Sequence, residues 1–135
     1  MARYLADTSA WHWSGRIADR WEALLEADEI ATCTPVALEL LVSSRGRRDY
    51  EALADDLKGL PWIPLDERID ATARWTQARL AARSQHRGAT PLDVLIAATA
   101  EASDLTLLHY DRHFDGIARA TGQPAERLAR RGTLD

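Results

Sequence analysis

Four carboxylates in this chain fall where a carboxylate is expensive to place. Asp7 follows a short apolar segment, and Glu39 stands among Leu38, Leu40 and Leu41. Asp93 lies in the first turn of a helix opened by Thr90-Pro91, and Asp111 follows the segment Leu105 to His109. Asp115, one helical turn further on, is a candidate fifth. Carboxylates crowded together repel one another, and at least one is driven to keep its proton. A divalent cation removes that penalty, and an oxygen-only set suits Mg²⁺, which keeps several of its waters. One or two such ions would activate a water and stabilise the leaving oxygen of a phosphodiester.

Each acid also has a plainer reading. Asp7-Thr8-Ser9 has the form of an Asx turn after a strand. Asp93, three residues after Thr90, fits a capping box, and acids are ordinary in a helix's first turn. Asp111 is suited to opening a turn. Glu39 is the hardest to dismiss, because it interrupts an apolar stretch. Together the plain readings need four coincidences at one edge of a sheet.

That edge follows from the order of elements. Arg3 to Asp7 reads as a strand, Gly15 to Ala27 as a helix through Ile17, Trp21, Leu24 and Leu25, and Ile30 to Cys33 as a second strand. Thr34-Pro35 predicts a helix start, with Thr34 as its cap. After the break at Arg45-Gly46-Arg47-Arg48, Tyr50, Leu53 and Leu57 mark another helix. Trp62 to Leu65 reads as a short or edge strand because of its flanking prolines. Asp66 to His86 is expected to be the longest helix, ending near Gly88. Thr90-Pro91 opens a helix with Leu92, Leu95, Ile96 and Thr99 on one face, and Leu105 to Leu108 has the run of a strand covered on both sides. Phe114 to Ala120 and Ala125 to Arg130 are read as closing helices, and the tail Arg130 to Asp135 as frayed. Alternating strands and helices predict an α/β sandwich around a mainly parallel sheet, in which ligands bind beyond the carboxyl ends of the strands.

Composition narrows the function classes. A chain of 135 residues is expected to form one domain, residues 1–135, and no apolar run approaches a membrane span. The opening residues lack a secretion signal's apolar core, and Cys33 is the only cysteine, so a cytoplasmic location is expected. With 17 basic and 21 acidic residues the formal net charge is −4, so binding of nucleic acid would rest on local patches and bound cations. The densest basic cluster is Arg45, Arg47 and Arg48, with a second at Arg83, His86 and Arg87; either would suit RNA phosphates or plain solvated surface.

In order and spacing the chain resembles the PIN-domain family and, within it, the VapC-type toxins of type II toxin–antitoxin systems. The likeness rests on Leu5-Ala6-Asp7-Thr8-Ser9-Ala10, Pro35-Val36-Ala37-Leu38-Glu39-Leu40-Leu41, Thr90-Pro91-Leu92-Asp93-Val94-Leu95-Ile96-Ala97-Ala98-Thr99-Ala100, and Leu107-Leu108-His109-Tyr110-Asp111-Arg112-His113-Phe114. The resemblance implies a PIN-like three-layer α/β/α sandwich and a Mg²⁺ or Mn²⁺ pocket formed by the catalytic and metal-binding residues Asp7, Glu39, Asp93 and Asp111. Ser9 and Asp115 take supporting roles. It also implies cleavage of single-stranded or loop RNA, a homodimer, and inhibition by a cognate VapB-type antitoxin. The chain departs from the pattern at His109, where Thr or Ser is common, and at His113, where Asp often stands.

The remaining features point elsewhere or nowhere. His109 and His113 have a zinc-like spacing but lack paired cysteines or a third histidine. Cys33 reads as a small buried hydrophobe. The tryptophans are expected in the core or at a partner surface, with Trp11 or Trp13 at the rim of the site. A haloacid-dehalogenase-type phosphatase would need a second Asp where Ser9 stands and a supporting Lys, but Lys58, the sole lysine, is badly placed. A receiver domain lacks the same late Lys, and no P-loop occurs. A non-cleaving RNA- or partner-binding module and a DNA nuclease of related fold remain as alternatives, since carboxylates and Mg²⁺ do not select the sugar.

Overall fold

The computed structural model describes all 135 residues. Its centre is a four-stranded, wholly parallel sheet of β1 (Tyr4–Ala6), β2 (Ile30–Ala31), β3 (Thr106–His109) and β4 (Ala125–Arg127), in the order β2-β1-β3-β4. Leu5 lies opposite Ala31 on one side and Leu107 on the other, and Leu108 lies opposite Glu126. The chain leaves β1 towards β2 and leaves β3 towards β4. Their carboxyl ends therefore form the point where the strand order reverses, the preferred ligand position of such sheets.

Side-chain alternation divides the core. Leu5, Ala31 and Leu107 join the larger cluster, beneath α3 (Thr34–Val42), α5 (Glu67–Ala82), α6 (Pro91–Ala102) and α7 (Arg112–Thr121). Tyr4, Ala6, Ile30 and Leu108 face the other way, against α1 (Thr8–Trp13) and α2 (Ala18–Glu26). A 3₁₀ turn, Ser14–Ile17, joins those two helices, and α4 (Arg47–Lys58) packs beside α3. The result is the expected three-layer α/β/α sandwich. Leu5, Leu107 and Leu108 are fully buried, each stabilising the fold by about 1.5–3 kcal/mol. No helix is long and apolar enough to cross a membrane.

Several expectations are corrected. Helix begins at Thr8, directly after β1, because Asp7 caps it. Thr34 is not the cap of α3: Cys33 holds that position without a side-chain hydrogen bond. Trp62 to Leu65 reduces to a single bridge between Trp62 and Thr32. Helix α5 stops at Ala82. The segment expected as a helix from Ala125 is strand β4 instead. Gly122, at φ +77, ends α7 in the left-handed conformation, and Leu107 N–H then donates to the Pro124 carbonyl at 3.0 Å. Pairing with β3 overrides the helical propensity of Ala-Glu-Arg. The tail does not hang free: Leu134 N–H donates to the Tyr110 hydroxyl, which donates to Asp135.

Candidate active site

Asp7 caps α1 at the end of β1 with only 3% of its surface exposed. Its Oδ1 accepts from Ser9 Oγ at 2.7 Å and Ala10 N–H at 3.2 Å, and its Oδ2 from Ser9 N–H at 3.1 Å. Those donors favour the carboxylate, yet they lose to burial, and the charge of Asp93 adds to the burden. The Asp7 carboxyl is pushed up to about 7. Ser9 does more than brace Asp7. Its Oγ also accepts Tyr110 N–H at 2.9 Å, tying the carboxyl end of β1 to that of β3.

Asp93 is both a cap and a neighbouring charge. Its Oδ2 accepts Thr90 N–H at 3.2 Å while Thr90 Oγ1 accepts Asp93 N–H at 3.1 Å, a complete capping box. Asp93 Oδ1 takes no hydrogen bond from the chain, and the charge of this carboxylate reaches Asp7. The structural and chemical readings of Asp93 therefore hold together.

Glu39 is half-buried on α3, with Oε1 accepting from Thr8 Oγ1 at 2.8 Å. An acid in this apolar stretch is not exceptional, because Leu38 and Val42 are 55% and 85% exposed on the same helix. Thr8 is a residue that sequence reasoning passed over. Its place beside Asp7 and Ser9 was the available signal.

Beyond the end of β3, Asp111 caps α7, its Oδ1 accepting His113 N–H at 2.9 Å with His113 Nδ1 at 3.3 Å. Asp115 turns to Arg127, which donates to its Oδ2 from Nε at 3.1 Å and also from Nη2. His109 Nε2 lies 3.5 Å from Asp115 Oδ1, while His109 Nδ1 accepts Asp111 N–H at 3.2 Å. That bond places the ring proton on Nε2, facing Asp115. Burial lowers the pKa of His109 and keeps the ring neutral. His109 and His113 thus serve the Asp111 corner, through Asp115 and Asp111.

Of the aromatic candidates, Trp11 packs edge-on to Trp21 at 4.9 Å, and Trp13 against Tyr110 at 5.6 Å. Cys33 is fully buried. Arg47 pairs with Glu51 and is 92% exposed, so the Arg45–Arg47–Arg48 turn stands out in solvent.

The donor set consists of carboxylates alone, which fits a hard divalent cation. No three His, Cys, Asp or Glu side chains close around a common point as they stand. Among the four acids, Asp7 and Asp93 are the pair in which the charge of one acts on the other, and a Mg²⁺ ion can be held by one or two carboxylates with water completing its shell. The fit rests on Asp7, a buried acid whose hydrogen-bond donors are neutral and which is in no ion pair.

Comparison with known proteins gives concordant results. The PIN domain family model matches residues 4–120. Ribonuclease VapC18 of Mycobacterium tuberculosis is 44% identical across 97% of this chain and 98% of its own length. Ribonuclease VapC51 of the same organism is 38% identical, covering 98% of both chains. The structure of DNA-bound VapBC from Salmonella typhimurium superposes with a TM-score of 0.78 over 96% of this chain and 100% of that one, at 17% identity.

Proposed function

This chain belongs to the PIN-domain family, in its VapC branch, and from that premise we propose that it is a metal-dependent endoribonuclease acting as the toxin of a VapBC-type pair. The observation that carries the reading is the buried, uncompensated carboxyl of Asp7 beside Asp93, at the reversal point of a parallel sheet. Asp7 and Asp93 would hold a Mg²⁺ or Mn²⁺ ion, with Glu39 and Asp111 flanking it. When bound, the ion makes a water nucleophilic at neutral pH and offsets charge on the phosphate.

The chain's own residues supply position and proton acceptance. Ser9 and Ala10 orient Asp7 as an anion, and Thr90 fixes Asp93. Thr8 holds Glu39 by one oxygen, leaving Oε2 free to take the proton of the attacking water. Hydrolysis forms a bond from that water's oxygen to phosphorus and breaks one ester bond of the RNA backbone.

The same reading includes a cognate VapB-type antitoxin, a homodimeric state and a cytoplasmic location. The VapC relatives and the solved VapBC complex support the toxin–antitoxin setting. The test is cleavage of defined RNA and DNA oligonucleotides with Mg²⁺, Mn²⁺ or EDTA. RNA cut in either metal and not in EDTA, with Asp7→Asn inactive, is the expected result. Cleavage that persists in EDTA or in Asp7→Asn removes the reading.

A further inference from the structure

The chain carries a net charge of −4, and its acid row repels a polyanion, so an RNA strand needs cations near that row. One group of them lines a cavity beside Asp111. This cavity, of about 420 Å³, opens between the end of α5, the loop before α6, α7 and the C-terminal tail. Arg87, Arg112, Arg119, Arg131 and His113 line it, and no Asp or Glu does. Four other arginines, Arg20, Arg47, Arg74 and Arg127, are held by carboxylates. The four in the cavity are in no ion pair and donate no side-chain hydrogen bond within the chain.

Gly116 is an independent sign. A glycine inside a helix weakens it, and Gly116 sits mid-way along α7 with no backbone need for it. A Cβ added there would meet no protein atom within 4 Å, yet this residue lines the cavity. The missing side chain leaves the cavity wall open to an occupant.

The cavity also adjoins the acid row. Arg112 and Arg131 are shared with a smaller hollow of about 240 Å³ that is lined by Tyr110 and Asp111. His113 touches Asp111 directly.

We propose that this cavity binds a non-scissile phosphate of the RNA strand cut at the acid row, a proposal that rests on the ribonuclease reading above. Forked guanidinium groups match phosphate oxygens, and several unpaired forks around one hollow suit a group with several oxygens.

The test is the affinity of the metal-free protein for a fluorescent single-stranded RNA oligonucleotide over a salt series, alongside cleavage by the metal-loaded protein. Arg119→Gln should weaken binding several-fold and lower the slope of log K against log salt by about one. Gly116→Ala should raise Tm by a few degrees while weakening RNA binding, a combination that a purely structural glycine would not give. Lys58→Gln, which removes a cation on α4 far along the chain from the cavity, should bind as the parent does. Unchanged RNA binding in Arg119→Gln or in Gly116→Ala overturns the assignment. RNA binding indifferent to Arg119, with Arg119-dependent capture of poly-glutamate, gives the cavity to protein carboxylates and overturns it too. The two readings fail separately. Cleavage with affinity indifferent to Arg119 sinks the cavity and leaves the nuclease. Arg119-dependent RNA binding without cleavage in any divalent metal sinks the nuclease and leaves an RNA-phosphate cavity.

Discussion

Asp7 and Asp115 lie at the same edge of the sheet, and the fold treats them in opposite ways. Asp115 receives Arg127 and the Nε2 face of His109, so its charge is matched within the chain. Asp7 is more deeply buried and receives only neutral donors, from Ser9 and Ala10, with Asp93 as its charged neighbour. Neutral hydrogen bonds orient a carboxylate but do not cancel its charge in a dry setting. One corner is therefore complete as an ion pair within the chain, and the other presents a buried carboxyl in no ion pair, whose charge a divalent cation would offset on the reading proposed above.

The largest expected effect separates those corners by activity. Asp7→Asn keeps the shape of the side chain and removes its charge, so RNA cleavage per folded molecule should fall by more than about a hundredfold, beyond what losing an outer-shell partner does. Asp115→Asn, read in the same cleavage assay, should retain most of its activity per folded molecule. Equal losses in the two variants would erase the distinction.

Ser9→Ala comes next. It removes the hydroxyl that braces Asp7 Oδ1 and receives Tyr110 N–H, while leaving both acids in place. With Asp7 holding the ion as proposed, a drop of about 10–100-fold in metal affinity or activity is expected, the range seen for residues that orient metal ligands. Titration of activity against Mg²⁺ would show it, and an unchanged metal requirement would make Ser9 a fold residue only.

The smallest effect belongs to stability at the paired corner. Asp115→Asn leaves Arg127 and His109 without their charged partner. The pair is 19% and 29% exposed, which places the loss at about 1–2 kcal/mol, between surface and fully buried ion pairs. Urea denaturation measures it, and a loss near zero would show that solvent compensates Arg127.

How far the sequence revealed these corners depends on how local their causes are. Thr90-Pro91 with Asp93 announced its capping box, since every atom involved lies within one helical turn. Thr34-Pro35 carries the same dipeptide, yet Thr34 falls inside the helix and Cys33 takes the cap, because strand pairing before it sets where the backbone turns. Asp7 was legible as a site from its position after a strand, but its burial was not. That depends on α1 starting at once and on Tyr110 N–H reaching back to Ser9 from 101 residues away. The partner of Asp115 was hidden for a similar reason. Arg127 reaches it only because Ala125–Arg127 pairs with β3, and Ala-Glu-Arg taken alone reads as helix.

The central claim is that Asp7 is an uncompensated buried carboxyl awaiting a divalent cation, and pH-dependent unfolding tests it most directly. The carboxyl has a pKa of about 7 in the fold, against an ordinary value of 3.8. The folded state therefore holds the extra proton between those values, and stability falls as pH rises from about 4 to about 7. The total is on the order of 4 kcal/mol, from the conversion of about 1.36 kcal/mol per pKa unit. His109 works in the opposite sense, because its lowered pKa favours the fold as pH rises through its ordinary value of 6.5. The difference between the parent protein and Asp7→Asn cancels the His109 contribution. In metal-free buffer, Asp7→Asn should gain on the parent steadily from about pH 4 to about pH 7 and then hold level, and millimolar Mg²⁺ or Mn²⁺ at pH 8 should raise the Tm of the parent while leaving the variant in place. A constant difference across that pH range, with a parent Tm indifferent to either metal, would contradict the account.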